Sequence, residues 1–319
     1  MQHLLIVNGI DGPMRKQFGC DCARCADSTP QANTSVSLVS INADGEAVHH
    51  LLFDVGVGVV DSLVRNPYFI GSNARLDGII LSHWHPDHTL GLNQLCVSYH
   101  LGLRRRGITP PKIPLWCRRT SAAWVQVQNE YEWRSFLCPH VSDESYPPGT
   151  ILQPVETALP DVRITPISVS HFSADRCPYA VGVSYACAAF VVETKNSKTV
   201  LLWDIDNQNE WLAAPQTESE KAAVTLMAGA DNLFIDTCFW RNKTGRSTHP
   251  SYENVLRYAH TLQPQQTLLM HMSGHPDGRG NRGWGWTNAE WTAAASEEWA
   301  VQGLPGTVCL PGIGDILDL

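Results

Sequence analysis

The chain has 319 residues, 43% hydrophobic and only 17% charged, enough apolar material for a large buried core. Its formal charge of -8 opposes binding to a polyphosphate backbone, so a small-molecule substrate is expected and a long nucleic acid is not. No apolar run reaches the ~18 residues a membrane span needs, and no secretion signal is evident, so the ten cysteines predict thiols in a reducing compartment, by default the cytoplasm.

Apolar runs bounded by turn residues predict strands at 3–9, 34–41, 47–56, 76–83, 162–171, 186–194, 198–206, 232–239, 266–273 and 307–312. Helical patterns fall near 57–65, 90–103, 121–136, 208–229, 251–262 and 287–301. Two batches of strands with helices between them predict an α/β (α+β) chain in which two sheets pack face to face with helices outside. The stretch from about 104 to 160 is the least regular. It carries PPKIP and SYPPG and is expected to be an insertion or lid within a single domain, 1–319.

The segment LSHWHPDH follows a buried strand and carries His83, His85, Asp87 and His88. Imidazole and carboxylate together suit zinc, manganese or iron. His83 and His85 are two residues apart, so at a strand end they point to the same side. Pro86 then breaks the strand and lets Asp87 and His88 turn towards a second point, so one segment can serve two adjacent ions. A dinuclear site needs further ligands, and three apolar strands end in candidates: His171, Asp204 and His271. Asp204 can bridge two cations, with Asp206 the weaker alternative at that strand end. A second cluster, GCDCARC, holds Cys20, Cys22 and Cys25. Three thiolates leave one tetrahedral position of a structural zinc open, and His275 is the candidate to close it.

HWHPDH resembles the HxHxDH signature of the metallo-β-lactamase superfamily, and His171, Asp204 and His271 match its later ligands in order. The resemblance implies an αββα sandwich of two mixed sheets, two divalent ions, and a supporting role behind the metals for Asp54 in LLFDVG. The cysteine cluster is similar to that of the phosphoribosyl cyclic phosphate phosphodiesterases, which implies a structural zinc on Cys20, Cys22, Cys25 and His275. It is also similar, more weakly, to pyrroloquinoline quinone biosynthesis protein B. His275 lies four residues after His271, where the phosphodiesterases have three.

These features predict a hydrolase acting on a small, including a cyclic, phosphodiester through a hydroxide held between two metals, with Asp87 orienting it. His249, just before a helical segment in RSTHPSYENV, is the candidate proton donor to the leaving group. Arg246 and Lys243 could bind phosphate. Trp284 and Trp286, in RGNRGWGWTN, could wall the cleft for a planar substrate. A lactonase or thioesterase on the same fold, and a non-haem iron oxidoreductase, stay open as alternatives. No membrane partner is expected, and a homodimer is compatible with these features.

Overall fold

Alternation along the strands sets the first layer. In β1 (Gln2–Gly9) and β2 (Ser35–Ile41), Leu5, Val7, Val36 and Leu38 join the central core, whereas Leu4, Ile6, Val39 and Ile41 form a separate cluster on the opposite face. The sheet continues through β3 (Ala47–Phe53), β4 (Gly78–Ile80), β5 (Ile113–Arg118) and β6 (Leu137–Ser142). The second sheet takes β7 (Arg163–Val169), β8 (Cys187–Glu193), β9 (Lys198–Leu202), β10 (Asn232–Asp236), β11 (Gln266–Met270) and β12 (Thr307–Cys309), and β13 (Ile316–Asp318) returns to β1. The spatial orders are β13-β1-β2-β3-β4-β5-β6 and β12-β11-β10-β9-β8-β7. Both sheets are mixed: antiparallel from β13 to β3 and from β7 to β9, parallel from β3 to β6 and from β9 to β12. This computed structural model describes the whole chain except residues 15, 143–145, 160, 181, 183, 184, 242–244 and 276–277.

The sheets meet through one core in which Phe53 of β3 and Phe190 of β8 pack edge to face at 5.4 Å. Helices Leu92–Arg105 and Arg119–Gln128 bury Leu92, Leu95 and Val125 on the outer face of the first sheet. Helices Glu218–Met227, Tyr252–Leu262 and Asn288–Val301 bury Met227, Leu262 and Trp291 beside the second. Each of these last three opens with a capping box, at Thr217, Ser251 and Thr287. The result is an αββα sandwich. No helix among the described residues is long and apolar enough to cross a membrane.

Three local expectations are corrected. The stretch 104–160 is not simply a lid: it supplies β5, β6 and two helices that extend the first sheet. Its prolines conceal a strand. Pro114 lies just before the β4 register, which starts at Leu115, so its missing N–H loses no bond on that side. The helix expected at 121–136 divides at Asn129, whose backbone (φ -122°, ψ 43°) is not helical. The helix expected at 208–229 shortens to Glu218–Met227, because Pro215 stops continuation and Thr217 caps a new start.

The residues offered by the sequence lie at one rim of the sandwich. Asp54 follows β3, His83 follows β4, His171 follows β7, Asp204 follows β9 and His271 follows β11. Asp54, Asp204 and His271 have left-handed backbone, with φ of 58°, 55° and 57°. Aspartate and histidine tolerate this region better than most side chains, but it is rarely populated without a local reason.

Candidate metal centre and active site

Pro86 opens a single helical turn, Pro86–Thr89, directly after His85. That turn separates the motif into two halves. The potential ligand atoms of His83, His85 and His171 form one group, and those of Asp87, His88, Asp204 and His271 form a second, each within 4.8 Å. Asp204 links them. Its Oδ2 lies 3.4 Å from His83 Nε2 and 3.2 Å from His271 Nε2, and its Oδ1 lies 3.4 Å from His171 Nε2. All seven are buried except His85, which is partly open and marks the accessible side.

The rings are held from behind. Asp54 Oδ2 lies 2.8 Å from His88 Nδ1 and accepts from Ser82 Oγ at 2.6 Å and Trp203 Nε1 at 2.8 Å. Its Oδ1 accepts from the Ser82 amide at 2.7 Å. His88 therefore donates from Nδ1 and turns Nε2 towards Asp204. His171 Nδ1 likewise donates to the Thr248 carbonyl at 3.1 Å, leaving Nε2 3.2 Å from His85 Nδ1.

The electrostatics favour cations. Burial lowers His83 and His85 and takes His171 down to about 3, so these rings are neutral and ready to ligate. Burial also opposes charge on His88, but the carboxylates of Asp87, Asp54 and Asp204 outweigh it and raise that histidine well above its usual value. The same holds for His271 beside Asp204 and Asp236. In the second group the carboxylates thus draw in positive charge, which protons or a divalent ion can supply. His83 Nε2 and His88 Nε2 are buried and converge within ion-pair distance of the buried Asp204 Oδ2, yet none of the three meets hydrogen-bond geometry. Buried polar atoms of this kind need a partner, and an ion provides it.

Beside these groups Asp236, the last residue of β10, holds His249: Asp236 Oδ2 lies 2.9 Å from His249 Nδ1. The pair adjoins Asp204 and His271, and the four form a further close group. Asp236 was missed in the sequence although it ends an apolar strand just as Asp204 does. Asp206 is not among the clustered ligands. It accepts from Ser170 Oγ and the Phe172 amide, flanking His171, and pairs with Arg246 at 2.6 Å. Arg246 also stacks over the Phe172 ring at 4.4 Å. Lys243 lies outside the described residues.

Cys20, Cys22, Cys25 and His275 form a fourth group. His275 Nε2 is 3.4 Å from both Cys22 and Cys25 Sγ, so the four-residue spacing from His271 still delivers the ring to the thiols. Without a cation, burial and the neighbouring thiols push Cys22 up to about 11. Three thiols this close ionise together only when positive charge joins them, which zinc with a Cys₃His set provides. The aromatic wall expected of Trp284 and Trp286 is not where those rings go. The Arg24 amide donates to Gly285 at 3.2 Å and ties their loop to the cysteine segment. Trp284 therefore packs on His275 and Trp286 on Trp240 and Trp291. The aromatic ring beside the metal motif is instead Trp84, edge-on to His85 at 4.7 Å and backed by Trp124 at 4.4 Å. A cavity of about 890 Å³ between the first sheet and the segment 153–159, lined by Leu51, Ile80, Trp116, Val155 and Leu159, contains none of these ligands.

Residues 49–272 match the β-lactamase superfamily domain. The chain belongs to the metallo-β-lactamase superfamily. Membership implies divalent metal ions at the clustered histidines and aspartates and places the chain among metallo-hydrolases. Over its full length the fold is similar to that of a diphosphatase of the PhnP family (TM-score 0.66, 20% identity, 100% of this chain and 98% of that one). It is also similar to zinc-bound PqqB from Methylobacterium extorquens (0.62, 16%, 99% and 100%). In sequence it is 26% identical over 134 residues to ribonuclease Z of Haloarcula marismortui, which covers 35% of this chain and 41% of that relative. This metallo-β-lactamase-fold chain thus aligns with less than half of the curated relative's length.

Proposed function

We propose that this protein is a metal-dependent phosphodiester hydrolase acting on a small substrate. The observation that carries the reading is the Asp236–His249 pair set against Asp204 and His271. A phosphodiester leaves as an alkoxide and needs a proton, and this pair is built to deliver one at the edge of a metal cluster. With Nδ1 engaged by Asp236, His249 exchanges its proton at Nε2. Divalent ions held by His83, His85 and His171 and by Asp87, His88, Asp204 and His271 would lower the pKa of water and neutralise charge developing on the phosphate oxygens. Asp54 and Thr248 fix the rings of His88 and His171, so the ligands are oriented before substrate arrives. Arg246, spread over Phe172 and tied to Asp206, is a fixed guanidinium for a second anionic group. Small size of the substrate agrees with the negative net charge, and the activities of the relatives, a diphosphatase and a ribonuclease, support the phosphate-ester class.

The test uses the full chain loaded with manganese or zinc, its metal content verified, against bis-p-nitrophenyl phosphate, a 2′,3′-cyclic nucleotide, and a lactone and thioester panel. Turnover of phosphodiesters is expected. His249→Ala should lose about 100-fold or more on the alkoxide-leaving cyclic substrate and far less on the p-nitrophenolate diester, whose leaving group needs no proton. Turnover of lactones or thioesters alone would replace this reading with a carboxyl hydrolase.

A further inference from the structure

Arg24 and Asp11 form an ion pair whose side chains are only 3% and 2% exposed. Burying such a pair carries a desolvation penalty, so its location is informative. Arg24 lies between Cys22 and Cys25, and its guanidinium also donates to Asn288 Oδ1 at 2.9 Å. Asp11 follows β1 in a short stretch that clasps the residue after His271. The Met272 amide donates to Ile10 at 2.9 Å, and the Gly12 amide donates to Met272 at 3.0 Å. Gly12 is packed against the His271 ring itself, where a β-carbon would lie 3.0 Å from Cε1.

The same stretch reaches a second ligand. Asn33 Nδ2 donates to the Gly12 carbonyl at 2.7 Å, and Asn33 Oδ1 accepts from the Val57 amide at 2.8 Å. Gly56, next to Val57, presses on the Asp87 carbonyl so closely that a β-carbon would lie 1.9 Å from its oxygen. Both branches of this contact path end on Asp87 and His271, two members of one active-site group. None of the contacts just described involves His83, His85 or His171.

We propose that the Arg24–Asp11 pair couples the cysteine–histidine site to one active-site ion selectively. Filling of the Cys20, Cys22, Cys25 and His275 site strengthens binding at Asp87, His88, Asp204 and His271 and leaves binding at His83, His85 and His171 nearly unchanged. Asp11 is a positioning residue in this scheme. The inference rests on reading both clusters as metal sites. By linkage the effect is reciprocal: an ion at the second group strengthens the thiolate site by the same factor.

The full chain, stripped by chelation and reloaded with Co²⁺ alone, separates the sites. Thiolate-to-cobalt absorption reports the cysteine site, ligand-field bands report the histidine–carboxylate sites, and chelator competition gives an affinity for each. Asp11→Asn should keep the thiolate band and weaken one of the two active-site ions about tenfold, the other holding. Cys22→Ser should weaken the same ion, and the double variant should add little to either change. If Asp11→Asn does not fold, Asn288→Ala loosens Arg24 and should give a smaller shift in the same direction. Equal weakening of both active-site ions, or of neither, would overturn the coupling. Absence of the thiolate band in the wild-type chain would overturn the metal reading of the cysteine cluster and the coupling with it.

Discussion

The indole nitrogen of Trp203 donates to Asp54 Oδ2 across 2.8 Å, joining the two sheets immediately behind the clustered ligands. Trp203 directly precedes Asp204, and Asp54 holds both Ser82, next to His83, and His88. One buried carboxylate thus sets the distance between ligands that arrive from different sheets. Trp203→Phe removes a donor to a buried acceptor and is expected to cost about 1.5–3 kcal/mol of stability. Active-site metal affinity should fall about 10- to 100-fold. Denaturant titration and chelator competition measure the two effects, and wild-type metal affinity in this variant would show that the bond holds the fold without positioning the ligands.

Asp236→Asn tests the partner of His249. The amide can still accept from Nδ1 but no longer stabilises the imidazolium, so kcat on alkoxide-leaving diesters should fall about 10²-fold with KM little changed. The alkaline limb of the kcat profile, where a proton donor is lost, should move to lower pH with it. An unaltered profile would separate Asp236 from the proton transfer.

Gly56→Ala places a methyl group on the Asp87 carbonyl. Either the turn after β3 or the Pro86–Thr89 turn must shift, at a cost of about 1–3 kcal/mol. The loss should extend to metal content, read by elemental analysis of the folded variant, because Asp87 moves with its carbonyl.

Asp175, which is not among the clustered ligands although its amide donates to the His171 carbonyl at 3.2 Å, gives a pH signature of its own. Burial raises its carboxyl to about 6, although the Ala186 amide it accepts at 3.0 Å works the other way. The folded state therefore prefers the protonated acid. The associated stability is fully present below about pH 4 and is lost as pH rises through about 6. Asp175→Asn removes the penalty, on the order of 3 kcal/mol, and its Tm should exceed that of the wild type at pH 7.5 and converge with it at pH 4. A constant difference across that range would contradict the assignment.

Much of the second sheet could be read from the chain because its strands are continuous apolar runs between turn residues, as in Lys198–Leu202 and Gln266–Met270. The first sheet was legible where polar and apolar residues alternate, in Ser35–Ile41, and illegible where proline interrupts, in Ile113–Arg118. The residues of LSHWHPDH carry their own signal, since four ligand types crowd after one strand. Asp236 did not stand out, because a lone carboxylate at a strand end looks like a turn residue until the fold brings His249 to it. The ends of the Trp284 and Trp286 rings were unreadable for a related reason: their loop is placed by a backbone bond to Arg24, and backbone bonds between distant segments leave no mark in composition. Asp11 and Arg24 are thirteen residues apart and each reads as an ordinary surface charge until both are found buried together.

The left-handed backbone at Asp204 and His271 puts chemistry and thermostability in opposition at two positions, whereas Asp54, in the same conformation, is held by its own buried hydrogen bonds. Glycine relieves such a conformation but supplies neither carboxylate nor imidazole. A library of this chain selected only for survival on heating should therefore accumulate glycine or asparagine at Asp204 and His271 early and keep Asp54, whose carboxylate accepts from Ser82, His88 and Trp203, and the survivors should be well folded and inert. A library selected for turnover should leave the three untouched and gather its stabilising changes elsewhere.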